Sequence, residues 1–205
     1  MKKIIVAIGG GEIGKFETLK IDQEIVNLSN KKKPKVLFIP TASGDALWYV
    51  KVVESVYGEK LGCEVDSLLL SNNELTELKI EEKIMNSDIV YVGGGNTRKM
   101  MEIWDKHNIP TLLKRAYNKG IVMSGVSAGS ICWYDFGYSD SLSRFSRILS
   151  SLKYLFSRVI HSPMNLERVT STFIKDKGIG LIEGIYRPNF KIEERKVNFL
   201  KTTEK

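Results

Sequence analysis

The stretch Ile-Val-Met-Ser-Gly-Val-Ser-Ala-Gly-Ser at residues 121–130 joins an apolar run to the pattern G-x-S-x-G around Ser127. The apolar residues predict a buried strand, and the residues after Ser127 predict the start of a helix. Gly125 and Gly129 leave room for a tight turn between the two, because a side chain at either position would crowd it. Such a turn lifts the serine hydroxyl above the sheet, beside the free N–H groups of the new helix. The stretch therefore predicts an α/β fold with a nucleophile elbow at Ser127.

Apolar segments rich in valine and isoleucine alternate with helical patterns on the amino-terminal side of this stretch. The predicted strands are 4–8, 36–39, 65–70, 89–92 and 121–126. The predicted helices are 21–28, 46–59, 77–86, 97–107 and 111–118. This alternation predicts a mostly parallel sheet with helices on both faces, in a single domain over residues 1–205. Beyond residue 140 we expect a polar helical segment at 141–158, a regular segment at 179–185 and a last helix at 193–200.

Turns rich in small residues follow several of the predicted strands, at 9–11, 41–44 and 93–97. The carboxyl ends of parallel strands meet at one edge of a sheet, so these turns should border a common crevice with Ser127. The backbone N–H groups of Gly94 or Gly95, together with that of Ala128, are candidate donors to an oxyanion. Phosphate binding at a helix N-terminus and simple tight packing remain alternatives for the triple glycine. The turn at 9–11 lacks the G-x-G-x-x-G spacing of a dinucleotide site.

The net charge of +7 arises within residues 141–205, whereas residues 1–140 are balanced. The basic residues are scattered, without the aromatic spacing of a stacking platform. They predict a solvated basic face, with nucleic-acid binding as the alternative.

No apolar run is long enough to cross a membrane, and the short run after Lys3 leads into glycines rather than a cleavage site. The cysteines Cys63 and Cys132 form no disulfide framework, and we expect Cys132 to be a core residue. Together these features predict a cytoplasmic protein without a membrane partner.

The segments 91–97 (Tyr-Val-Gly-Gly-Gly-Asn-Thr) and 125–130 (Gly-Val-Ser-Ala-Gly-Ser) resemble the peptidase E family of serine dipeptidases, which includes aspartyl dipeptidase and is related to cyanophycinase. Segments 38–43, 137–141 and 178–184 are similar to the same family. The resemblance implies a fold like that of the class I glutamine amidotransferases (flavodoxin-like), with Ser127 as nucleophile. It also implies Gly94 or Gly95 and Ala128 as oxyanion donors, small aspartyl-type peptides as substrates, and no metal or cofactor.

The chain departs from this pattern where the family carries a Pro-His-Tyr-like segment whose histidine activates the serine. The matching residues here are Arg187-Pro188-Asn189-Phe190, and an asparagine amide cannot accept a proton near neutral pH. The family's acidic triad member lies well downstream of that histidine, so we expect it to be missing before Lys205.

Two histidines could stand in for the missing base. His107 is expected at the far end of the helix that follows the triple glycine, while His161 is the better candidate for a substitute base. Two interpretations follow: a serine peptidase of small peptides with reduced or lost turnover, or an inactive relative that binds a peptide or amino-acid-like ligand.

Overall fold

A computed structural model of the chain describes residues 2–71, 75–139, 174–188 and 199–204. Most of the described residues surround one sheet, with the order β3-β2-β4-β5-β1-β9. Its strands are β1 (Lys3–Ile8), β2 (Lys35–Ile39), β3 (Glu64–Ser67), β4 (Ile89–Val92), β5 (Val122–Val126) and β9 (Phe199–Glu204). The first five run parallel, and β9 pairs antiparallel with β1 at one edge. The predicted mostly parallel α/β sheet is therefore confirmed.

The central strands β1, β4 and β5 are buried almost throughout, which is why they read as continuous apolar runs. Helices cover both faces of the sheet. The helices are α1 (Leu19–Leu28), α2 (Leu47–Val53), α3 (Glu77–Met85), α4 (Thr97–Lys106), α5 (Ile109–Asn118) and α6 (Ala128–Ile131). The cluster that contains β-strand residue Phe38 packs under α1 and α2, and the cluster that contains Leu37 packs under α3, α4 and α5.

A smaller sheet follows α6, with the order β7-β6-β8. Its strands are β6 (Tyr134–Ser139), β7 (Ile174–Lys177) and β8 (Ile182–Tyr186). The turn between β7 and β8 packs on the end of α6, where the Ile179 N–H donates to the Cys132 carbonyl at 2.7 Å. The small sheet therefore lies beside the strand-to-helix turn at Ser127.

Several predicted boundaries are wrong. The strand predicted at 65–70 is shorter and ends at Ser67, although Leu68 and Leu70 beyond it are still buried. The helix predicted at 46–59 changes after Val53 into a π-helical segment, Glu54–Lys60. The helix predicted at 193–200 is contradicted at its end, because Phe199 opens β9, where pairing with β1 satisfies the edge of the sheet. Residues 193–198 and the helix expected at 141–158 lie outside the described residues.

Candidate active site

Ser127 lies between β5 and α6, at the carboxyl edge of the sheet. Its backbone has φ 55° and ψ −112°, a combination that L residues seldom adopt. The Ser127 N–H donates to the Ile8 carbonyl at 2.9 Å, so the turn is held to the end of β1. The side chain is half-buried, and its hydroxyl makes no hydrogen bond to another described residue. The strand-turn-helix predicted from the sequence is therefore present. Its serine hydroxyl is not hydrogen-bonded to any other described residue.

The two glycines of the G-x-S-x-G pattern are required by close backbone approach. A Cβ on Gly125 would lie 2.7 Å from the Gly129 carbonyl carbon. A Cβ on Gly129 would overlap the Val92 carbonyl group at the end of β4. Both approaches are shorter than carbon atoms tolerate, so neither position accepts a side chain without moving backbone. The crowding inferred from the sequence thus arises where the end of β5, the start of α6 and the end of β4 come into contact.

The triple-glycine turn after β4 lies directly against Ser127. A Cβ on Gly94 would lie 3.4 Å from the Ser127 Cβ, which places the two residues in contact distance. Gly95 has φ 150° and packs so closely on the Ala42 carbonyl group that a side chain there would overlap it. The next N–H, that of Asn96, donates to the same Ala42 carbonyl at 2.7 Å. The turns after β2, β4 and β5 are therefore joined at one edge, as the sequence predicted.

The structure separates the three candidate oxyanion donors. The Gly94 N–H donates to the Tyr49 hydroxyl, at 3.4 Å. Within the described residues, no hydrogen-bond acceptor meets the N–H of Gly95 or of Ala128. Of the two glycines that the resemblance left open, Gly95 is therefore the one with a free donor in this arrangement.

Tyr49 lies against the triple-glycine turn, and the sequence analysis did not single it out. Its ring packs edge-on against Phe38, with ring centroids 5.0 Å apart, and it fills the space above Gly93. Burial raises the pKa of Tyr49, and the hydrogen bond from Gly94 opposes this only in part, so the hydroxyl stays protonated. Nothing in the local pattern distinguishes Tyr49 from an ordinary buried residue of α2, and only the fold brings it to the glycine turn.

The small sheet is attached to the site through two side-chain contacts. The side chain of Tyr186, the last residue of β8, reaches the side chain of Ser130, whose hydroxyl donates to the Ser127 carbonyl at 2.6 Å. Arg98, in the first turn of α4, forms an ion pair with Asp176 of β7 at 3.2 Å. The Asp176 side chain is only 4% exposed, and its Oδ2 accepts no hydrogen bond from any of the described residues. These contacts hold β7 and β8 against the helices that border Ser127.

Of the three residues considered for the catalytic base, the structure describes His107 alone. Asn189 and His161 both lie outside the described residues, so their roles stay predictions. His107 caps the far end of the ten-residue helix α4, about 15 Å from the glycine turn at its other end. His107 therefore does not join the site. Most of the basic residues at 141–205 are also outside the described part of the chain, and nucleic-acid binding by them stays a prediction.

A depression lies at the opposite end of the strands, along the amino edge of the sheet. It has a volume of about 190 Å³ and is lined largely by charged side chains, among them Asp66, Lys79, Glu82 and Lys83. These side chains pair with each other, Lys83 with Asp66 at 2.6 Å and Lys79 with Glu82 at 2.7 Å. In α/β sheets the ligands bind at the carboxyl edge, so this depression is a solvated ion-pair surface.

None of the helices in the described part of the chain has both the length and the apolar character needed to cross a membrane. The described residues also contain no group of three or more histidine, cysteine, aspartate or glutamate side chains that could hold a metal ion. Cys132 is buried beside Ser127's helix, and burial raises its thiol pKa well above the usual value, as expected of a core cysteine.

An α/β protein with a serine on a strained strand-to-helix turn, flanked by a triple-glycine turn, defines a class that contains many hydrolases. The model of peptidase family S51 matches residues 5–150, and the chain belongs to this family. The uncharacterized peptidase YgaJ of Bacillus subtilis (strain 168) is 37% identical over 155 residues, which cover 76% of this chain and 64% of that protein. Peptidase E of Nostoc sp. (strain PCC 7120) is 27% identical over 131 residues, 63% of this chain and 51% of that protein. The predicted peptidase E-like family is thus confirmed.

Solved structures agree on the fold. A crystal structure of a candidate peptidase E from Listeria monocytogenes EGD-e has a TM-score of 0.59 at 16% identity, covering 98% of this chain and 100% of that one. A peptidase from an acI-B1 actinobacterium has a TM-score of 0.63 at 17% identity, covering 88% of this chain and 65% of that one. The matched region spans between about half and two thirds of the length of the curated relatives.

Proposed function

We propose that this peptidase-family protein acts on small aspartyl-type dipeptides through Ser127, with a turnover far below that of a complete catalytic triad. The observation that supports this most directly is the juxtaposition at the carboxyl edge of the sheet. Ser127, on its strained turn, contacts Gly94, and the N–H groups of Gly95 and Ala128 have no acceptor among the described residues. A hydroxyl beside two open backbone donors is what acyl transfer requires.

In the proposed reaction, Ser127 Oγ attacks the carbonyl carbon of the peptide bond and loses its proton to a base. The negative charge that develops on the carbonyl oxygen is stabilised by the Gly95 and Ala128 N–H groups. The C–N bond then breaks, the amine leaves with a proton, and an acyl ester remains on Ser127. Water hydrolyses this ester and restores the serine.

The low turnover follows from position 189. The family's histidine is replaced there by Asn189, whose neutral amide takes up no proton near pH 7. Loss of triad members lowers turnover by about 10⁴- to 10⁶-fold, and what remains comes from the oxyanion donors and binding. The assignment of Asn189 to the position of the base rests on the resemblance of the segment 187–190 to the family pattern. His161 is the proposed substitute base.

The neutral residue at 189 equally favours a second candidate, a protein that binds such a peptide without hydrolysing it. The two candidates share the crevice and differ only in whether the acyl ester forms. Both keep the peptide as a partner and need no cofactor, and both fit a cytoplasmic protein with reduced thiols.

The experiment is a hydrolysis assay of a panel of aspartyl dipeptides with four purified full-length proteins. These are the wild type, Ser127→Ala, His161→Ala and Asn189→His. Slow hydrolysis by the wild type that disappears in Ser127→Ala supports the peptidase, and its further loss in His161→Ala identifies the substitute base. Binding by calorimetry without hydrolysis, combined with gain of turnover in Asn189→His, supports the binding protein. Hydrolysis that persists in Ser127→Ala contradicts both.

A further inference from the structure

Two large apolar side chains stand in solvent at the start of α2. Trp48 is 67% exposed and Leu47 is 66% exposed, although tryptophan and leucine side chains are usually buried. The chain has three tryptophans, and the other two, Trp104 and Trp133, are fully buried. Single exposed apolar residues are common on protein surfaces, but an adjacent pair that includes a tryptophan close to the candidate active site is a candidate contact site.

The position of this pair relative to Ser127 follows from a short series of contacts. The Trp48 ring stacks on the Tyr49 ring, with centroids 5.3 Å apart and an angle of 13° between the planes. The Tyr49 hydroxyl accepts the Gly94 N–H, and Gly94 lies against Ser127. The exposed indole is therefore separated from the candidate nucleophile only by one buried tyrosine and one glycine turn.

The stacking also fixes how the indole is presented. Because one face of Trp48 rests on Tyr49, the exposed surface of the indole lies on its opposite face and its edges. Tyr49 is itself fixed by Phe38 and by the glycine turn, so the indole rests on a rigid base. A supported aromatic face that loses little side-chain freedom on contact binds an apolar group well.

We propose that Leu47 and Trp48 form an apolar subsite that binds the side chain of the second residue of the dipeptide, the residue released as the amine. This inference rests on the proposed function, since it extends the same crevice. It predicts that dipeptides with an apolar second residue are preferred over those with a polar residue of the same shape. A preference of about tenfold in kcat/KM is expected for a pocket with one open side.

Fluorescence tests the subsite without any turnover, because Trp48 is the one tryptophan that a quencher in solution can reach among the three. Acrylamide quenching is measured in full-length Ser127→Ala with Asp-Leu and with Asp-Asn, whose side chains have nearly the same shape. We expect saturating Asp-Leu to halve the quenching constant and Asp-Asn to leave it nearly unchanged. Calorimetric binding of Asp-Leu that leaves the quenching constant unchanged overturns the subsite, and so does a failure of Asp-Leu to bind at all.

Kinetics provide the second readout. Trp48→Ala and Leu47→Ser should each lower the ratio of kcat/KM for Asp-Leu to that for Asp-Asn by about five- to tenfold. The matched control is Leu78→Ala, which removes another exposed apolar side chain (81%) on α3, outside the crevice, and should leave the ratio unchanged. Equal ratios in wild type and Trp48→Ala overturn the subsite while leaving the peptidase intact.

The outcomes for the two proposals can be told apart. Absent hydrolysis with Trp48 still protected by Asp-Leu removes the peptidase and keeps the subsite. Protection that grows with protein concentration in the absence of peptide, with a dimer in sedimentation that Trp48→Ala abolishes, shows that a second copy of the chain covers the pair. That last result overturns the subsite.

Discussion

At its amino edge the parallel sheet carries charged side chains that pair with one another, whereas at its carboxyl edge it carries glycine-rich turns and a serine. The amino-edge pairs Lys83–Asp66 and Lys79–Glu82 face solvent. At the carboxyl edge, backbone segments touch through Gly125, Gly129 and Gly95, and the Ser127 hydroxyl has no described partner. The amino ends of the strands thus carry ion pairs that face solvent. Their carboxyl ends carry polar groups that are available to a ligand.

The difference shows how a site can be recognised in this fold. Polar groups that satisfy each other have little left to offer a substrate, however deep the depression they line. Polar groups that a crowded backbone leaves without hydrogen-bond partners lower the stability of the protein unless a ligand binds them. Such a loss of stability indicates a functional site.

The largest effect is expected for Gly129→Ala at the carboxyl edge. Its Cβ would overlap the Val92 carbonyl, so β4 and the elbow must separate. We expect a loss of about 3 kcal/mol or more in the free energy of unfolding, together with loss of any Ser127-dependent activity. Urea denaturation measures the change in the free energy of unfolding.

The matched control is Gly58→Ala, where a Cβ would meet Val65 at an ordinary 3.6 Å. This change should be neutral or slightly stabilising, since alanine favours helical backbone. Similar losses in both variants would show that the close approach at Gly129 is not what the elbow depends on.

A buried carboxylate between the two edges should give a pH-dependent effect of nearly the same size. Asp22 on α1 is fully buried and accepts hydrogen bonds from Thr18 at 2.7 Å and Tyr57 at 2.9 Å. Burial raises the pKa of Asp22 to about 6, and these two hydrogen bonds oppose the shift only in part. Because the folded pKa lies above the unfolded value, the folded state holds its proton more tightly.

Stability should therefore fall as the pH rises from about 4 to about 6, and stay lower above that range. Asp22→Asn keeps a neutral group of the same shape and abolishes this dependence. We expect the variant's advantage in unfolding free energy to grow by about 2 to 3 kcal/mol between pH 4 and pH 7.5. An advantage that is constant with pH would show that Asp22 does not titrate in this range.

Of two ion pairs, one at each edge, we expect the longer pair to contribute more to the free energy of unfolding than the shorter one. The Arg98–Asp176 pair is longer, at 3.2 Å, but Asp176 is buried. The Lys83–Asp66 pair is shorter, at 2.6 Å, but its carboxylate is exposed. We expect Arg98→Ala to cost about 2 kcal/mol, because it leaves the buried Asp176 carboxylate without a partner among the described residues, and Lys83→Ala to cost less than 1 kcal/mol.

Thermal or urea denaturation of the two variants decides this comparison. Adding Asp176→Asn to Arg98→Ala removes the stranded charge and should restore most of the stability. Equal costs for Arg98→Ala and Lys83→Ala would mean that burial does not set the value of these pairs.

The smallest effect concerns the backbone strain at Ser127. Glycine relieves a positive φ that alanine does not, so Ser127→Gly should be more stable than Ser127→Ala by about 1 kcal/mol. At Ser55, in the helical segment after α2, the order should be reversed. The same order at both positions would show that the elbow stores no strain.

Much of the fold could be predicted from the sequence because it depends on local, repeated patterns. The buried strands β1, β4 and β5 are continuous apolar runs, and the turns that follow them are rich in glycine. The end of the chain could not be predicted in this way. Residues 199 and 200 resemble the end of a helix locally, yet pairing with β1 makes them part of a strand.

The strand-turn-helix at Ser127, the glycine-rich turn beside it and the peptidase family could be recognised from the sequence alone. Each depends on neighbouring residues whose types show which backbone conformations they allow. The fold was needed to show that the Gly94 N–H donates to Tyr49, that Arg98 pairs with the buried Asp176, and that Trp48 is exposed while stacked on Tyr49. Those contacts join residues far apart in the chain, and their strength depends on burial, which no local pattern contains.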